Sequence, residues 1–215
     1  MLFVKNDIVK LKIMVKRYTD KQLLDRVSQM PDFCDYPKDR WILGVRSKQD
    51  IPNMFDDKFY EYEGTKFIQV MTGTTNPGIT ILKGGFKKFN KKGAAIVKAD
   101  QWYYHLWSYG LHRRRMPALL QVGAPITVYR DGDMDGKSEE LGKPTTGWYG
   151  INYHTNTYDF SDKNMKVTKK HIYSWSAGCQ VINQREKYEA QMNWYKNAKN
   201  TGKQKFVSYC LINEF

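Results

Sequence analysis

Two short segments hold the residues most suited to chemistry. Residues 175–182 read Trp-Ser-Ala-Gly-Cys-Gln-Val-Ile, and residues 150–155 read Gly-Ile-Asn-Tyr-His-Thr. Cys179 follows a Ser-Ala-Gly turn in which Gly178 lets the backbone approach a substrate closely. A cysteine so placed can present its sulfur, with neighbouring backbone N–H groups aimed at an oxyanion. The thiolate is the attacking form, so Cys179 needs a base. His154, 25 positions upstream, is the best candidate, taking the thiol proton and returning it to a leaving amine. A free cysteine is most often a small core residue; the Ser-x-Gly context and His154 favour a nucleophile. His171 is a rival base. His112, beside Arg113, Arg114 and Arg115, reads as basic surface, and His105, in an aromatic run, as structural.

The elements that must position this pair are mostly strands. Trp41 to Val45, Phe67 to Met71, Ile79 to Leu82, Ala94 to Val97 and Ile126 to Tyr129 are short apolar runs between Gly, Pro, Asn and Asp clusters. Strand-like runs also precede His154 and occupy His171 to Trp175, so adjacent strands can bring His154 to Cys179. Trp102 to Leu111 is compatible with a helix. A helix is expected after Thr19, with Gln22 completing a capping box, Leu23, Leu24, Val27 and Met30 at helical spacing, and Pro31 beyond it. A second is expected over Gln184 to Lys199, capped by Asn183 and Glu186, carrying Tyr188, Met192 and Tyr195, and stopped by Gly202. Residues 1–15 look like an edge strand or arm, and Phe206 to Ile212 like a final strand. The sum is a β-rich α+β fold.

Gly150-x-Asn152-x-His154 followed by Ser176-x-Gly178-Cys179 resembles the paired catalytic motifs of the L,D-transpeptidase catalytic domain family. His154-Thr155 matches the first motif; Ser176, Gly178 and Cys179 match the second. Ala177 stands where the family carries a second histidine, and Gln180-Val181 replaces the usual pair after the cysteine. Over about residues 65–212 the chain is also similar to uncharacterised Bacteroidetes and phage proteins. Thr74-Thr75-Asn76-Pro77-Gly78, Leu111 to Leu119 and Trp175 to Gln180 carry that likeness. The transpeptidase resemblance implies a mixed-sheet catalytic domain over 41–215, preceded by an arm and helix over 1–40, with a helix near each end. It implies Cys179 as nucleophile and His154 as base, with Gly178, Ser176, Gln180, Thr155 and Tyr153 around oxyanion and substrate. The implied substrate is a peptidoglycan stem peptide, cleaved by water or joined to a second amine, with no metal or organic cofactor.

Charge fits that setting. Among 215 residues, 35 Lys and Arg face 22 Asp and Glu, a net +13, which attracts polyanions such as an anionic envelope polymer. The basic clusters at 112–115 and 87–92 can meet phosphates, but no helix-turn-helix, zinc finger or single-strand-binding motif accompanies them, so nucleic acid is a weak expectation. Three widely spaced cysteines (Cys34, Cys179 and Cys210) fit neither a disulfide framework nor a zinc pattern. No signal-peptide core and no membrane-spanning run is read. The expected setting is synthesis in the cytosol, then action at the bacterial wall after release or from within a virion. The alternative is a non-catalytic virion structural or envelope-binding protein, in contact with other virion proteins. Asp131, Asp133 and Asp135, with Gly136, open like a calcium loop, but the twelfth position is Gly142 rather than Glu, and an acidic turn is the favoured reading.

Overall fold

Aromatic and β-branched residues recur through the chain, and the computed structural model pairs them into two sheets; it describes residues 14–85, 87–88, 90–158 and 169–215. The strands are β1 (Arg40–Arg46), β2 (Asp57–Glu63), β3 (Lys66–Thr74), β4 (Ala94–Val97), β5 (Gln101–His112), β6 (Met116–Gln121), β7 (Ile126–Asp131), β8 (Thr145–Gly147), β9 (Tyr153–Thr155), β10 (Gln180–Ile182) and β11 (Val207–Asn213). Eight of them close into a barrel in the order β1-β11-β5-β6-β9-β10-β3-β2, and β4-β7-β8 form a separate sheet. Two barrel pairs, β1 with β11 and β9 with β10, are parallel; the others are antiparallel. The expected β-rich α+β class with a mixed sheet is what the chain adopts.

Strand alternation splits the core into two faces. Ile42 of β1 and Tyr209 and Leu211 of β11 join Phe59, Trp107, Tyr153 and Ile182. The same cluster takes in Ala95, Val97, Ile126 and Val128 of the small sheet, together with Tyr188, Met192 and Tyr195 of helix α2 (Arg185–Asn200). Trp41, Leu43, Val45, Cys210 and Ile212 point the other way, onto Leu23 and Val27 of helix α1 (Asp20–Ser28). The Thr19–Gln22 capping box forms as expected, with Gln22 N donating to Thr19 Oγ1 at 3.2 Å and Thr19 N to Gln22 Oε1 at 2.9 Å. Residues 1–13 of the expected arm lie outside the described residues. Among the described residues no helix is long and apolar enough to cross a membrane.

Four local expectations are corrected. Residues 102–111 form β5 rather than a helix. His105 sits there in the left-handed region (φ +56°), opposite a register shift in β11. This bulge resets the alternation, burying Trp102 and Tyr103 and then Leu106 and Trp107, a spacing that imitates a helix. The run at 79–82 is no strand but leads into a wide helical turn, Ile81–Gly85, nucleated where Ile81 N and Leu82 N donate to Gly78 O. Residues 171–175 also turn: Asn53 Oδ1 accepts from Ile172 N and Tyr173 N, replacing ladder bonds. Finally, α2 starts without a side-chain cap, because Asn183 Oδ1 and Gln184 Oε1 instead accept from Thr72 Oγ1 and N of β3.

A buried arginine joins the barrel to the small sheet. Arg46, at the end of β1, donates from Nε to Thr75 Oγ1 (2.9 Å), from Nη2 to Val97 O of β4 (2.7 Å) and from Nη1 to Glu140 (2.9 Å). Asp57 fixes the same loop by accepting from Ser47 N and Thr75 N. Replacing Arg46 with methionine keeps much of the side-chain volume but leaves the Val97 carbonyl and Thr75 hydroxyl without this donor. Arg46→Met is expected to lower unfolding free energy by about 2–4 kcal/mol, read from the urea midpoint; an unchanged midpoint would show that the clamp contributes nothing.

Candidate active site

Parallel pairing of β9 and β10 aligns Gln180 with Tyr153 and Val181 with His154. One step back along the same register, Cys179 lies beside Asn152, and residues two apart on a strand share a face. Cys179, Asn152 and His154 therefore point to one side. The hydrogen bonds agree: Gln180 N donates to Asn152 O at 2.9 Å, and Asn152 N points at Cys179 Sγ at 3.4 Å. Cys179 and His154 line one cavity of about 420 Å³, within the range of small-ligand sites.

The turn before Cys179 is held from several sides. Ser176 Oγ accepts from Gly178 N (3.1 Å) and donates to Cys179 O (2.8 Å). Ser176 O accepts from Gly78 N, and Ala177 O from Ala95 N of β4. Gly178 has φ +139°, and a Cβ there would stand 2.7 Å from Ala95 O, so both conformation and space require glycine. Gln180 donates to Gly178 O and accepts from Tyr209 OH. Ser176, Gly178 and Gln180, expected around oxyanion and substrate, instead brace the turn that places Cys179. Tyr153 and Thr155 are corrected likewise. Alternation turns Tyr153 into the core, where its hydroxyl meets Gln191, and Thr155 Oγ1 bonds Ile182 O. The Gly178 amide is engaged by Ser176, whereas among the described residues none accepts from the Cys179 amide.

His154 is held in the tautomer that a base would require. Its Nδ1 lies 2.6 Å from Thr155 O; a carbonyl only accepts, so Nδ1 carries the proton and Nε2 the lone pair. That Nε2 is buried and has no hydrogen-bond partner. His112, read from sequence as basic surface, instead stacks on the His154 ring, with centroids 4.4 Å apart. Asn152 Oδ1 accepts from Gln121 N, so its Nδ2 donates to His112 Nδ1 at 3.1 Å. Both imidazoles are thereby set in defined neutral tautomers. The rival base His171 faces Asn53 O and is not part of the cavity wall.

The cavity wall was largely invisible in sequence. His112 and Arg113 come from the β5–β6 hairpin, where Arg113 and Arg114 both have positive φ. Arg130 comes from β7, its guanidinium over the Tyr149 ring at 4.8 Å. Gly150, Trp175 and Ala177, which also line the cavity, do sit within the two motifs at 150–155 and 175–182.

Electrostatics define the resting state. Cys179 packs against the apolar cluster of Phe55, Ile172 and Val181. Burial pushes its thiol up to about 11, outweighing the Asn152 N–H and Arg113. Burial, with His112 adding to it, holds His154 down to about 3 despite the Thr155 carbonyl. The pair rests as thiol and neutral imidazole, not as an ion pair. No protein-family model, curated protein or solved structure matches the chain.

A pH series checks this resting state. In a Cys34→Ser background, which removes the exposed thiol, iodoacetamide modification of Cys179 is expected to accelerate about tenfold per pH unit from pH 7 to 10. A rate already flat across pH 6–9 would instead mean a preformed thiolate–imidazolium pair.

Proposed function

We propose that the protein is a cysteine-dependent acyl-transfer enzyme of L,D-transpeptidase-like character, acting on peptidoglycan stem peptides. The observation that carries this reading is that His154, whose Nε2 is unpartnered and in the tautomer of a base, lines the same cavity as Cys179. The mixed sheet, the parallel β9–β10 pair and the Ser176-x-Gly178-Cys179 turn support it. Arg113 and Arg130 on the cavity wall give carboxylate-bearing peptides a complementary surface.

In this mechanism the thiol proton passes to His154 Nε2 as the sulfur adds to a peptide carbonyl carbon. Thr155 O stabilises the imidazolium through Nδ1–H. The carbonyl oxygen becomes an oxyanion facing the Cys179 amide. The C–N bond then breaks, and the amine leaves with the proton from Nε2. Water, or a second amine, adds to the thioester carbonyl as His154 takes its proton; the C–S bond breaks and the sulfur is reprotonated. Proton transfer accompanies attack because the resting thiol is neutral. The place of action is the bacterial wall, reached after release or carried in a virion.

The raised thiol also suits a second reading, in which a virion structural or envelope-binding protein keeps this cavity for binding alone. Incubation with purified Gram-negative peptidoglycan separates the two. Wild type is expected to give new stem-peptide fragments or cross-links by mass, Cys179→Ala none, and His154→Ala about 10²–10⁴-fold less. Unchanged muropeptides with folded wild type, together with pelleting on the sacculi, would transfer the assignment to binding.

A further inference from the structure

Two imidazoles share the cavity wall, and their hydrogen bonds treat a proton in opposite ways. His154 Nδ1 faces the Thr155 carbonyl at 2.6 Å, an acceptor that suits the ring whether it is neutral or charged. His112 Nδ1 faces a donor instead. Asn152 Oδ1 is occupied by Gln121 N at 2.9 Å, so the amide group turned toward His112, at 3.1 Å, is Nδ2. A protonated His112 would set N–H against N–H and lose that bond. The two rings lie face to face, with centroids 4.4 Å apart and planes inclined by 15°. A charge on His112 would therefore stand directly against the one that His154 gains as a base. The other charged or titratable groups on this wall are Arg113 of the same hairpin, Arg130 of β7, Tyr149 and Cys179, with Tyr158 beside His112 and Arg113 in an adjoining cavity of about 210 Å³. Among the described residues no carboxylate lines either cavity, so nothing there would neutralise a second imidazolium. Burial and Arg113 push His112 down in addition.

We propose that Asn152 and His112 are positioning residues: by donating to His112 Nδ1, Asn152 keeps that ring neutral, and the neutral ring stacked on His154 leaves His154 able to accept the Cys179 proton. What the proton is used for rests on the acyl-transfer reading above; the state of the two rings does not. Asn152 serves both partners, since its N–H points at Cys179 Sγ at 3.4 Å while its side chain holds His112. Asn152→Asp puts a carboxylate oxygen where the Nδ2 donor stood. That oxygen accepts from His112 Nδ1–H and raises the His112 pKa. His112 then carries a charge near neutral pH and sheds it only as the pH rises through the raised value. The defect of this variant is thus deepest at low pH and relieved by base, which a loss of packing is not.

The full chain, ¹⁵N-labelled at histidine, is titrated from pH 5.5 to 9 and its ring nitrogens are read by NMR, with His112→Gln and His154→Gln fixing the assignments. Wild type is expected to show His112 uncharged at pH 7 as the Nε2–H tautomer, and His154 as Nδ1–H. Asn152→Asp should move the His112 midpoint up by about one pH unit or more. On purified peptidoglycan its kcat/KM should fall about tenfold or more at pH 6 and recover toward wild type by pH 9. Asn152→Leu, with neither donor nor carboxylate, controls for packing, and its loss should be the same at both pH values. A charged or Nδ1–H His112 in wild type at pH 7, an unmoved midpoint in Asn152→Asp, or a defect in Asn152→Asp that base does not relieve would each overturn the proposal. The expected ring states in a wild type that leaves peptidoglycan unchanged would instead remove the acyl-transfer reading and uphold the assignment of the neutral ring to His112.

Discussion

The site depends on the pairing of two three-residue strands. Side chains alternate along a strand, so a one-residue slip of β10 against β9 would turn Cys179 away from His154. Strands this short fix their register poorly by themselves. Here it is set by neighbours: β3 pairs with the other edge of β10, Ser176 and Gln180 close the turn, and Gly178 lies so near Ala95 that the small sheet gauges the position of Cys179. Cys179 is therefore located by the backbone of its neighbours as well as by its own packing.

Apolar packing around the cysteine gives this site its chemical character. Phe55, Ile172 and Val181 exclude water from the sulfur's rear side, and the same desolvation makes charge expensive on both thiol and imidazole. A charge-separated pair would need compensating dipoles, and the Asn152 N–H supplies only one, at 3.4 Å. The arrangement stores a proton where it can move rather than a charge ready to attack. In the proposed reaction this exchanges indiscriminate thiolate reactivity for dependence on a bound, correctly placed carbonyl.

Legibility in the sequence followed sequence distance. The α1 cap, the buried stripe of α2, and strands β1, β4, β7 and β11 are coded by nearest neighbours and could be read directly. Cys179 and His154 were legible because each sits in a short motif. The cavity wall was not, because His112, Arg113 and Arg130 reach it through a hairpin and a separate sheet whose placement no local pattern encodes. β2 hid behind buried charges at Asp57 and Glu61, and β5 behind its bulge. The residues expected around substrate brace the site instead for a related reason: Tyr153, Thr155 and Gln180 alternate with His154 and Cys179 along β9 and β10 and so face the core, while Ser176 and Gly178 are used to close the turn.

The parallel β1–β11 seam has a consequence for biosynthesis. Ile42 finds its partner in Tyr209, and β11 also supplies the neighbour of β5. Until β11 emerges from the ribosome, a nascent chain holds an open sheet with two unpaired rims, at β1 and β5, and the aromatic faces beside them are uncovered. Such edges template association with other chains, and long-range closure is slow. Before β11 is made the chain is thus at its most vulnerable, and chaperone holding at that stage should govern its yield more than the strength of its finished core.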